Sequence, residues 1–239
     1  MQFKPIATII SPYKQKFAIP RQPNLVKQAV AEIHFLPGFA DANSLRGIEQ
    51  FSHLWLVFAF HETAEEGWSP LIHPPRLGGK DKMGVYATRS THRPNPIGIS
   101  VVEYLEWEQR GSELVLKVRG IDLLDGTPLL DIKPYVPYAD SIPDASAGYA
   151  DSAPLAACSV TFTEEAEAQL SNFKNGYPEL KGFIVSVLSQ DPRPAYRQQA
   201  EDSKQYGMSL YDLNIRWKVD NGSFVVTAIY PWKDVQEET

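Results

Sequence analysis

The stretch that decides the fold class of this chain reads Ile97-Gly-Ile-Ser-Val-Val-Glu-Tyr-Leu105, then Leu114-Val-Leu-Lys-Val-Arg-Gly-Ile121, then Pro128-Leu-Leu-Asp-Ile132. These runs are apolar or alternating, rich in branched side chains and too short for helices, so each predicts a strand. The pair Asp125-Gly126 between the last two runs is typical of a β-hairpin turn. The stretch therefore predicts part of an all-β domain.

Further runs extend this pattern towards the N-terminus, at Phe3–Ile10, Ala29–Phe35, Phe51–Phe60 and Gly84–Thr88. Strands of this length and spacing favour a closed barrel or a sandwich. The segment Ala40–Phe51 has helix-forming residues and predicts a short helix between strands.

The last third of the chain carries a different pattern. Residues 134–155 contain four prolines and many small polar residues, which predicts an irregular linker. Thr163, followed by acidic residues, predicts the N-cap of a helix, and Pro178–Ser189 predicts a second helix. Two alternating runs, Tyr211–Val219 and Phe224–Tyr230, predict a closing hairpin. This part is therefore expected to be a smaller α+β domain.

The composition is that of a soluble folded protein, with 43% hydrophobic and 22% charged residues among 239. The longest apolar run, Leu54–Phe60, is too short to span a bilayer, and the N-terminus does not resemble a secretory signal. The single cysteine, Cys158, cannot form an internal disulfide, and its neighbours predict a buried, inert thiol. We therefore expect a cytoplasmic protein without a membrane segment.

The net charge of −6 argues against indiscriminate nucleic-acid binding, but the charge is distributed unevenly. Residues 1–31 contain no acidic residue, and residues 76–93 carry several arginines and lysines against Asp81 alone. These two segments form a basic face if they meet in space; otherwise they are ordinary solvated charges.

Several common catalytic motifs are absent. The chain has no G-x-G-x-x-G after a strand, no G-x-x-x-x-G-K-[ST] and no G-x-S-x-G, which argues against a dinucleotide fold, a P-loop and a hydrolase nucleophile elbow. The histidines show no tight ligand spacing and cysteines do not cluster, so no metal site is expected.

Two segments concentrate charge on stiff backbone, Arg89–Gly98 and Asp122–Tyr135. Pro94 and Pro96 fix their own φ and hold Asn95 extended between them. A loop this stiff can hold ligand groups without an ordering cost at binding. Together the segments predict a binding site, although either one alone is equally explained by turns that end strands.

Individual side chains here have two interpretations. Asp131 and Lys133 are two residues apart on a predicted strand and leave the same face, where they either hold a polar substrate or form a weak surface ion pair. His61 and Glu62 end an apolar strand and either cap a barrel or line its mouth. Arg193, between two prolines, suits phosphate or carboxylate recognition or is an ordinary solvated residue.

At these residues the sequence resembles the family of S-adenosylmethionine-dependent tRNA N6-methyltransferases that act on threonylcarbamoyl-adenosine at position 37, beside the anticodon. The matching motifs follow in family order through both predicted domains. They are Ser11-Pro-Tyr, Pro20-Arg-Gln-Pro, Phe51-Ser-His-Leu-Trp, Pro74-Pro-Arg-Leu-Gly-Gly, Ala87-Thr-Arg-Ser-Thr, Arg93-Pro-Asn-Pro-Ile-Gly, Asp125-Gly-Thr-Pro, Asp131-Ile-Lys-Pro-Tyr and Asp191-Pro-Arg-Pro-Ala-Tyr.

The resemblance implies a mainly β protein of non-Rossmann type, with an N-terminal β-barrel domain at residues 1–154 and a smaller α+β C-terminal domain at residues 155–239. It implies S-adenosyl-L-methionine as cofactor, the tRNA anticodon stem-loop as partner, and a homodimer whose cofactor pocket lies close to the subunit interface. No metal is implied.

The resemblance also assigns residues, position by position. The implied cofactor contacts are Gln22, Pro23, Asn24, His61, Glu62, Arg89, Ile99, Gly120, Ile121, Asp122 and Leu123. The family fills the positions of Asn24 and Glu62 variably, which puts those two contacts alone in doubt. The residues implied as necessary for activity are Asp131, Lys133 and Arg193.

A mechanism follows as a hypothesis. The acceptor N6 lies between a purine and a carbamoyl group, so its proton is acidic enough for modest base assistance, with Asp131 as the candidate base. Lys133 and Arg193 then hold the threonyl carboxylate or loop phosphates and orient N6. Alternatively, Asp131 orients Lys133 and water takes the proton.

Two other classes of function compete with this one. The first is a non-catalytic RNA-binding barrel, in which the basic segments grip the RNA and the proline loops are scaffold. The second is a metal-dependent hydrolase of small molecules that uses Asp122, Asp125 and Asp131. Asp125 is better explained as the turn residue before Gly126.

Overall fold

The computed structural model describes residues 2–78, 81–153, 158–193 and 204–232. Within these ranges the strands are β1 (Ala7–Ile10), β2 (Val30–Phe35), β3 (His53–Ala59), β4 (Leu71–Ile72), β5 (Met83–Gly84), β6 (Ile97–Arg110), β7 (Glu113–Arg119), β8 (Pro128–Pro134), β9 (Val160–Phe162), β10 (Gln205–Leu210), β11 (Leu213–Asp220) and β12 (Ser223–Pro231). The α-helices are α1 (Pro137–Asp140), α2 (Glu164–Phe173) and α3 (Leu180–Ser189).

Six strands form a closed barrel in the order β1-β2-β7-β6-β3-β8, and the pairing of β1 with β8 closes it. Side chains alternate along the strands: Leu54, Leu56 and Phe58 of β3 are buried, whereas the residues between them are half-buried. The inward apolar side chains pack together as the barrel core. The mainly β prediction is confirmed, and the barrel replaces the alternative of a sandwich.

The predicted hairpin at Asp125-Gly126 is wrong, because β7 and β8 do not pair. β7 pairs with β2 and β6, whereas β8 pairs with β1 and β3. A turn does occur, since Gly126 has φ 77°, but the connection crosses the barrel end and is held by β1. Gly126 N donates to Ile9 O at 2.9 Å, and Asp125 N donates to Tyr13 O at 2.9 Å. A turn dipeptide reports local backbone conformation and does not specify which strands pair.

Two other local predictions are also corrected. The run Gly84–Thr88 is not a strand of the barrel: β5 ends at Gly84 and a 3₁₀ turn follows at Val85–Ala87. The predicted helix at Ala40–Phe51 is two 3₁₀ turns, Ala42–Leu45 and Ile48–Gln50. Gly47 separates them with φ 89°, a conformation that interrupts any right-handed helix.

The C-terminal part is α+β, as predicted. Its sheet has the order β10-β11-β12-β9, with β9 parallel to β12. The Thr163 hydroxyl accepts a hydrogen bond from Ala166 N at 3.2 Å, which confirms the predicted N-cap of α2. β11 and β12 form the predicted hairpin. Sequence patterns missed β10, where Gly207 and polar residues weaken the strand signal, although Tyr206 and Met208 alternate as buried positions.

The loop after β1 joins the barrel to the C-terminal part. Tyr13 is fully buried, forms an isolated bridge with Leu210, and contacts the ring of Phe183 with centroids 5.8 Å apart. Tyr211 N donates to Pro12 O at 2.8 Å. The contact between the two parts of the chain is thus apolar at its centre with backbone hydrogen bonds beside it.

Cys158 is half-buried rather than fully buried, and burial raises the pKa of its thiol. A raised pKa leaves less thiolate at neutral pH, which fits the predicted inert thiol. In the described ranges, no helix has the length and apolar character needed to cross a bilayer.

Candidate functional site

A cavity of about 550 Å³ opens at one end of the barrel. Five stretches line it: the loop before β2, the end of β3 and its following turn, the loop of residues 88–93, the start of β6, and the connection that crosses to β8. The segments Arg89–Gly98 and Asp122–Tyr135, singled out by their charge and prolines, both contribute to this lining. The structure therefore brings the two predicted loop segments together at one cavity.

The floor of the cavity is aromatic. The rings of Phe58 and Phe60 meet edge to face with centroids 5.3 Å apart. Both pack on Gly98, where an added Cβ would lie 2.4 Å from the Phe58 ring and 2.7 Å from the Phe60 ring. Because real Cβ atoms do not approach so closely, a side chain at position 98 would force these rings to move.

One acidic side chain, Asp122, is recessed in the cavity wall. Burial raises the pKa of its carboxyl group to about 6, while a hydrogen bond from Ser100 and the charge of Arg89 act in the opposite direction. Ser100 Oγ donates to Asp122 Oδ1 at 2.6 Å. At neutral pH this carboxylate is therefore mostly ionised and presents negative charge to whatever fills the cavity.

Residues 1–31 and 76–93, the two segments with an excess of positive charge, both contribute basic side chains to this cavity. Lys16 and Arg21 come from the first segment, and Arg89 and Arg93 from the second. Arg89 Nη1 donates to Gln22 Oε1 at 2.6 Å, which links the two segments directly. The sequence left open whether these basic regions meet, and in the structure both contribute side chains to the cavity.

Most of the implied cofactor contacts lie at the cavity. Those that line it are Gln22, His61, Glu62, Arg89, Ile99, Asp122 and Leu123. Those that do not are Pro23, Asn24, Gly120 and Ile121. Asn24 and Gly120 instead support the wall: Asn24 N donates to Gly120 O at 2.8 Å, and Asn24 Nδ2 donates to Val101 O at 2.9 Å.

Sequence reasoning missed several residues of the lining. They are Phe58, Phe60, Thr63 and Ser100 among others. A usable signal existed for Ser100, because it is a polar residue at an inward position of an otherwise apolar strand. Thr63 is buried, and its hydroxyl has no hydrogen-bond partner in the described part of the chain.

Asp131 and Lys133 lie on the outer face of the barrel and not in the cavity. Lys133 Nζ is 2.6 Å from Asp131 Oδ2, and the side chains are 63% and 46% exposed, respectively. A β-bulge causes this placement: Phe58 pairs with Leu129, but the adjacent Val57 pairs with Asp131. The extra residue in β8 turns Asp131 outward, although Leu129, two residues earlier, points into the core.

The ion pair is nevertheless close to the cavity rim. Val57 pairs with Asp131 on one side and with Ile99 on the other. Ile99 lines the cavity and is 51% exposed on the outer face. Two strand spacings, about 10 Å, therefore separate the backbone of Asp131 from that of Ile99 at the cavity.

Arg193 lies in the C-terminal part and is only 5% exposed, so it is not the solvated loop residue that its two flanking prolines also allowed. Its Nε and Nη2 donate to Asp191 Oδ1 and Oδ2 at 2.8 and 2.9 Å, and its guanidinium lies 5.2 Å from the centre of the Phe224 ring. It does not line the cavity. The rest of the motif Asp191-Pro-Arg-Pro-Ala-Tyr lies outside the described residues.

Two further features bear on rival functions. Across the described residues there is no group of three His, Cys, Asp or Glu side chains arranged to hold a metal ion. Asp125, proposed for a metal-dependent hydrolase, is bound by Lys14 at 2.7 Å and accepts a hydrogen bond from Ser11 N at 2.8 Å.

Comparison with known proteins places the chain in a family. Residues 8–141 match the model for the tRNA-methyltransferase O N-terminal domain, and residues 155–232 match the TrmO C-terminal domain. The chain is 54% identical to the tRNA (adenine(37)-N6)-methyltransferase of Escherichia coli K12, covering 96% of this chain and 98% of the relative. It is 48% identical to a putative S-adenosylmethionine-dependent methyltransferase of Pseudomonas aeruginosa, covering 89% and 90%.

A solved structure agrees with the sequence comparisons. The crystal structure of TrmO from Pseudomonas aeruginosa superposes with a TM-score of 0.81 at 38% identity, covering 96% of this chain and 98% of the other. Both domains and the whole barrel are included in these matches. This chain therefore belongs to the tRNA-methyltransferase O family.

Proposed function

We propose that this protein transfers a methyl group from S-adenosyl-L-methionine to N6 of adenosine 37 in tRNA, in its threonylcarbamoyl-modified form. The names of the relatives support the reaction and the position in the tRNA. The observation that carries the proposal is the cavity, because motifs distant in sequence converge on it and place one recessed carboxylate, Asp122, beside aromatic and basic side chains.

The cavity suits the proposed methyl donor. Its volume of about 550 Å³ is in the range of small-ligand sites. The Phe58 and Phe60 rings offer an apolar face to a purine. The Asp122 carboxylate accepts hydrogen bonds from hydroxyl or ammonium groups, and the Thr63 hydroxyl lacks a partner in the described ranges. We assign direct donor contacts to the lining residues Gln22, His61, Glu62, Arg89, Ile99, Asp122 and Leu123, and wall support to Pro23, Asn24, Gly120 and Ile121.

When bound, S-adenosyl-L-methionine supplies a methyl group on a positively charged sulfur. The residues of the chain prepare the acceptor. In this proposal Asp131 takes the N6 proton of the modified adenosine, and Lys133 holds the threonyl carboxylate beside it. The two side chains form an ion pair at 2.6 Å and are accessible on the outer face. Most of the rate then comes from orientation of N6.

Arg193 completes the proposed set from the C-terminal part of the chain. Its Nε and Nη2 donate to Asp191, so we assign Arg193 to the fixed geometry of the turn at residues 191–193 and to recognition of phosphate by its charge. Its charge lies on a different domain from Asp131, so tRNA that spans both domains would complete the site.

We also propose that the protein acts as a homodimer through the outer face of β6, β3 and β8. Ile97 and Ile99 are 37% and 51% exposed there, next to Val57. Exposed apolar side chains at a cavity rim are typical of a surface that another chain covers. A second copy on this face would bring an Asp131–Lys133 pair close to a cofactor cavity. Replacement of Ile99 by Glu is expected to reduce the molar mass measured by light scattering from dimer to monomer.

The proposed division into domains is 1–154 and 155–239, with the activity located in the cytoplasm, where tRNA is modified. The barrel strands end at Pro134 and the C-terminal sheet begins at Val160, which supports a boundary between them. The boundary itself, at residues 154 and 155, lies outside the described residues.

Nucleoside mass spectrometry tests the proposed function. The protein is incubated with S-adenosyl-L-methionine and with tRNA that either carries threonylcarbamoyl-adenosine 37 or lacks the modification. A mass gain of one methyl group on the modified nucleoside, and none on plain adenosine, is expected. Methylation of both nucleosides would support the methyltransferase activity but contradict the specificity for the threonylcarbamoyl-modified form. RNA binding with no methyl gain, and no thermal stabilisation by the donor, would favour the non-catalytic RNA-binding barrel.

A further inference from the structure

Ser100 is a polar residue where the barrel calls for an apolar one. Along β6 the inward positions are Gly98, Ser100 and Val102, and Ser100 is only 1% exposed. A buried hydroxyl without a hydrogen bond costs about 1–3 kcal/mol, so a core strand does not retain one without a partner. The partner identifies what the hydroxyl does.

That partner is Asp122, and the contact is short. Ser100 Oγ donates to Asp122 Oδ1 at 2.6 Å, within the range of strong O–H to carboxylate hydrogen bonds. Among the described residues this is the one side chain that donates a hydrogen bond to Asp122. The contact joins an inward position of β6 to the connection that follows β7, so it fastens this connection to the strand.

The other groups around Asp122 act by charge or by burial. Arg89, from the loop before β6, lowers the pKa of the Asp122 carboxyl group by its charge. This effect is smaller than that of the hydrogen bond from Ser100. Tyr13, from the loop after β1, interacts electrostatically with Asp122, and burial raises the pKa of its phenol. The remaining charged or titratable residues that line the cavity are Lys16, Arg21, His61, Glu62 and Arg93.

We propose that Ser100 is a positioning residue, which holds the Asp122 carboxylate in the orientation and charge state that receive the methyl donor. The inference rests on the proposed function, since it needs S-adenosyl-L-methionine in this cavity. It adds a role that neither the sequence motifs nor the names of relatives assign. Ser100 acts through Asp122 and does not itself have to touch the donor.

The consequence is a specific pH dependence of donor binding. If ionised Asp122 binds the donor, affinity falls as the pH drops through the pKa of that carboxyl group. Removal of the Ser100 hydroxyl takes away a hydrogen bond that favours the ionised form, so the pKa rises. The loss of affinity then begins at a higher pH in the variant, while binding recovers once the pH is well above the new pKa.

The test is calorimetric titration of the full-length protein with S-adenosyl-L-methionine, from about pH 5 to about pH 9, around the reference range of carboxyl and histidine pKa values. The variants are Ser100→Ala, the conservative Ser100→Thr, and Asp122→Asn alone and combined with Ser100→Ala. If loss of the hydroxyl makes the Asp122 carboxyl group about tenfold less acidic, we expect Ser100→Ala to bind about threefold more weakly near pH 6.5, about tenfold more weakly near pH 5, and nearly normally at the alkaline end. Ser100→Thr, which keeps the hydroxyl, should remain close to the unchanged protein.

The double variant distinguishes an effect that acts through Asp122 from one that acts through His61, the histidine that lines the cavity. In the Asp122→Asn background, Ser100→Ala should leave the pH profile unchanged, because no carboxyl group remains for it to act on. A loss that is equal at every pH, or a shift that persists without Asp122, would overturn the inference. If the unchanged protein fails to bind the donor at any pH, the proposed function fails instead, and the two results are distinguishable.

Discussion

Asp122 and Asp131 belong to one short segment, yet the barrel gives them opposite surroundings. Asp122 is recessed at the cavity, where burial raises the pKa of its carboxyl group to about 6 and Ser100 donates to it. Asp131 lies outside, 46% exposed, with Lys133 at 2.6 Å. In our proposal the inner carboxylate binds the donor and the outer one serves the acceptor. Position relative to the barrel wall, and not residue type, separates the two roles.

The largest expected effect concerns the outer carboxylate. Asp131→Asn should lower kcat by about 10²–10⁴-fold, the usual contribution of a general base, with unchanged affinity for the donor. Single-turnover methylation of modified tRNA measures the rate, and calorimetry measures the affinity. Asp144→Asn, a change at another exposed acid, is the matched control. Near-normal turnover of Asp131→Asn would instead make Asp131 an orienter of Lys133.

The inner carboxylate should show the reverse pattern. Asp122→Asn is expected to weaken donor binding by roughly 10- to 100-fold, because a charged hydrogen bond worth about 1.5–3 kcal/mol is lost. The donor dissociation constant is measured by calorimetry at neutral pH. Asp125→Asn is the control, since Asp125 lies on the same connection but pairs with Lys14 and does not line the cavity. Equal losses of donor affinity in Asp122→Asn and Asp125→Asn would contradict the assignment of Asp122 to donor binding.

The same substitution should stabilise the fold. The carboxyl pKa of Asp122 is raised from 3.8 to about 6, so the folded state binds a proton more tightly than the unfolded state. This stabilising contribution is complete below about pH 4 and is lost as the pH rises through 6. At pH 8 the free energy of unfolding of Asp122→Asn should therefore be about 1–3 kcal/mol higher than that of the unchanged protein.

Urea unfolding without ligand, at pH 8 and again near pH 4, measures this difference. The gain should shrink at the lower pH, where the carboxyl group is neutral in the folded state and partly protonated in the unfolded state. A variant that is less stable than the unchanged protein at pH 8 would contradict the conclusion that burial of this carboxylate opposes folding.

The smallest effect concerns the stability contribution of the outer ion pair. Lys133→Ala should change the free energy of unfolding by less than about 1 kcal/mol, since exposed pairs are screened by water. Chemical unfolding checks this value, and loss of methylation in the same variant would then reflect the reaction and not the fold. A large loss of stability would mean that the pair holds β8 in place.

The strands of the barrel could be predicted because alternation and short apolar runs are local properties. Their partners could not, since Asp125-Gly126 specifies a turn but not that β7 joins β2 and β6. The motifs that line the cavity were recognisable from their residues. The aromatic floor was not, because its importance depends on which residues other strands place opposite it. For Ser100 the sequence shows a polar residue within an apolar strand but not its partner, Asp122.

The bulge in β8 also explains why the sequence placed Asp131 and Lys133 correctly relative to each other but not relative to the cavity. Residues two apart on a strand share a face whatever happens upstream. Which face they share depends on the extra residue between Leu129 and Asp131, and no local pattern in Pro128-Leu-Leu-Asp reveals it.

That bulge makes β8 tolerant of a shorter chain but not of a more regular one. Deleting Leu130 would leave Leu129 opposite Phe58 and place Asp131 directly after it, opposite Val57, so every later residue would keep its partner on β3 and its face. Regular pairing at full length would instead shift these later residues by one position, which would turn Asp131 and Lys133 toward the apolar interior and Ile132 toward water. The bulge, and not the identity of the extra residue, is therefore what β8 must preserve.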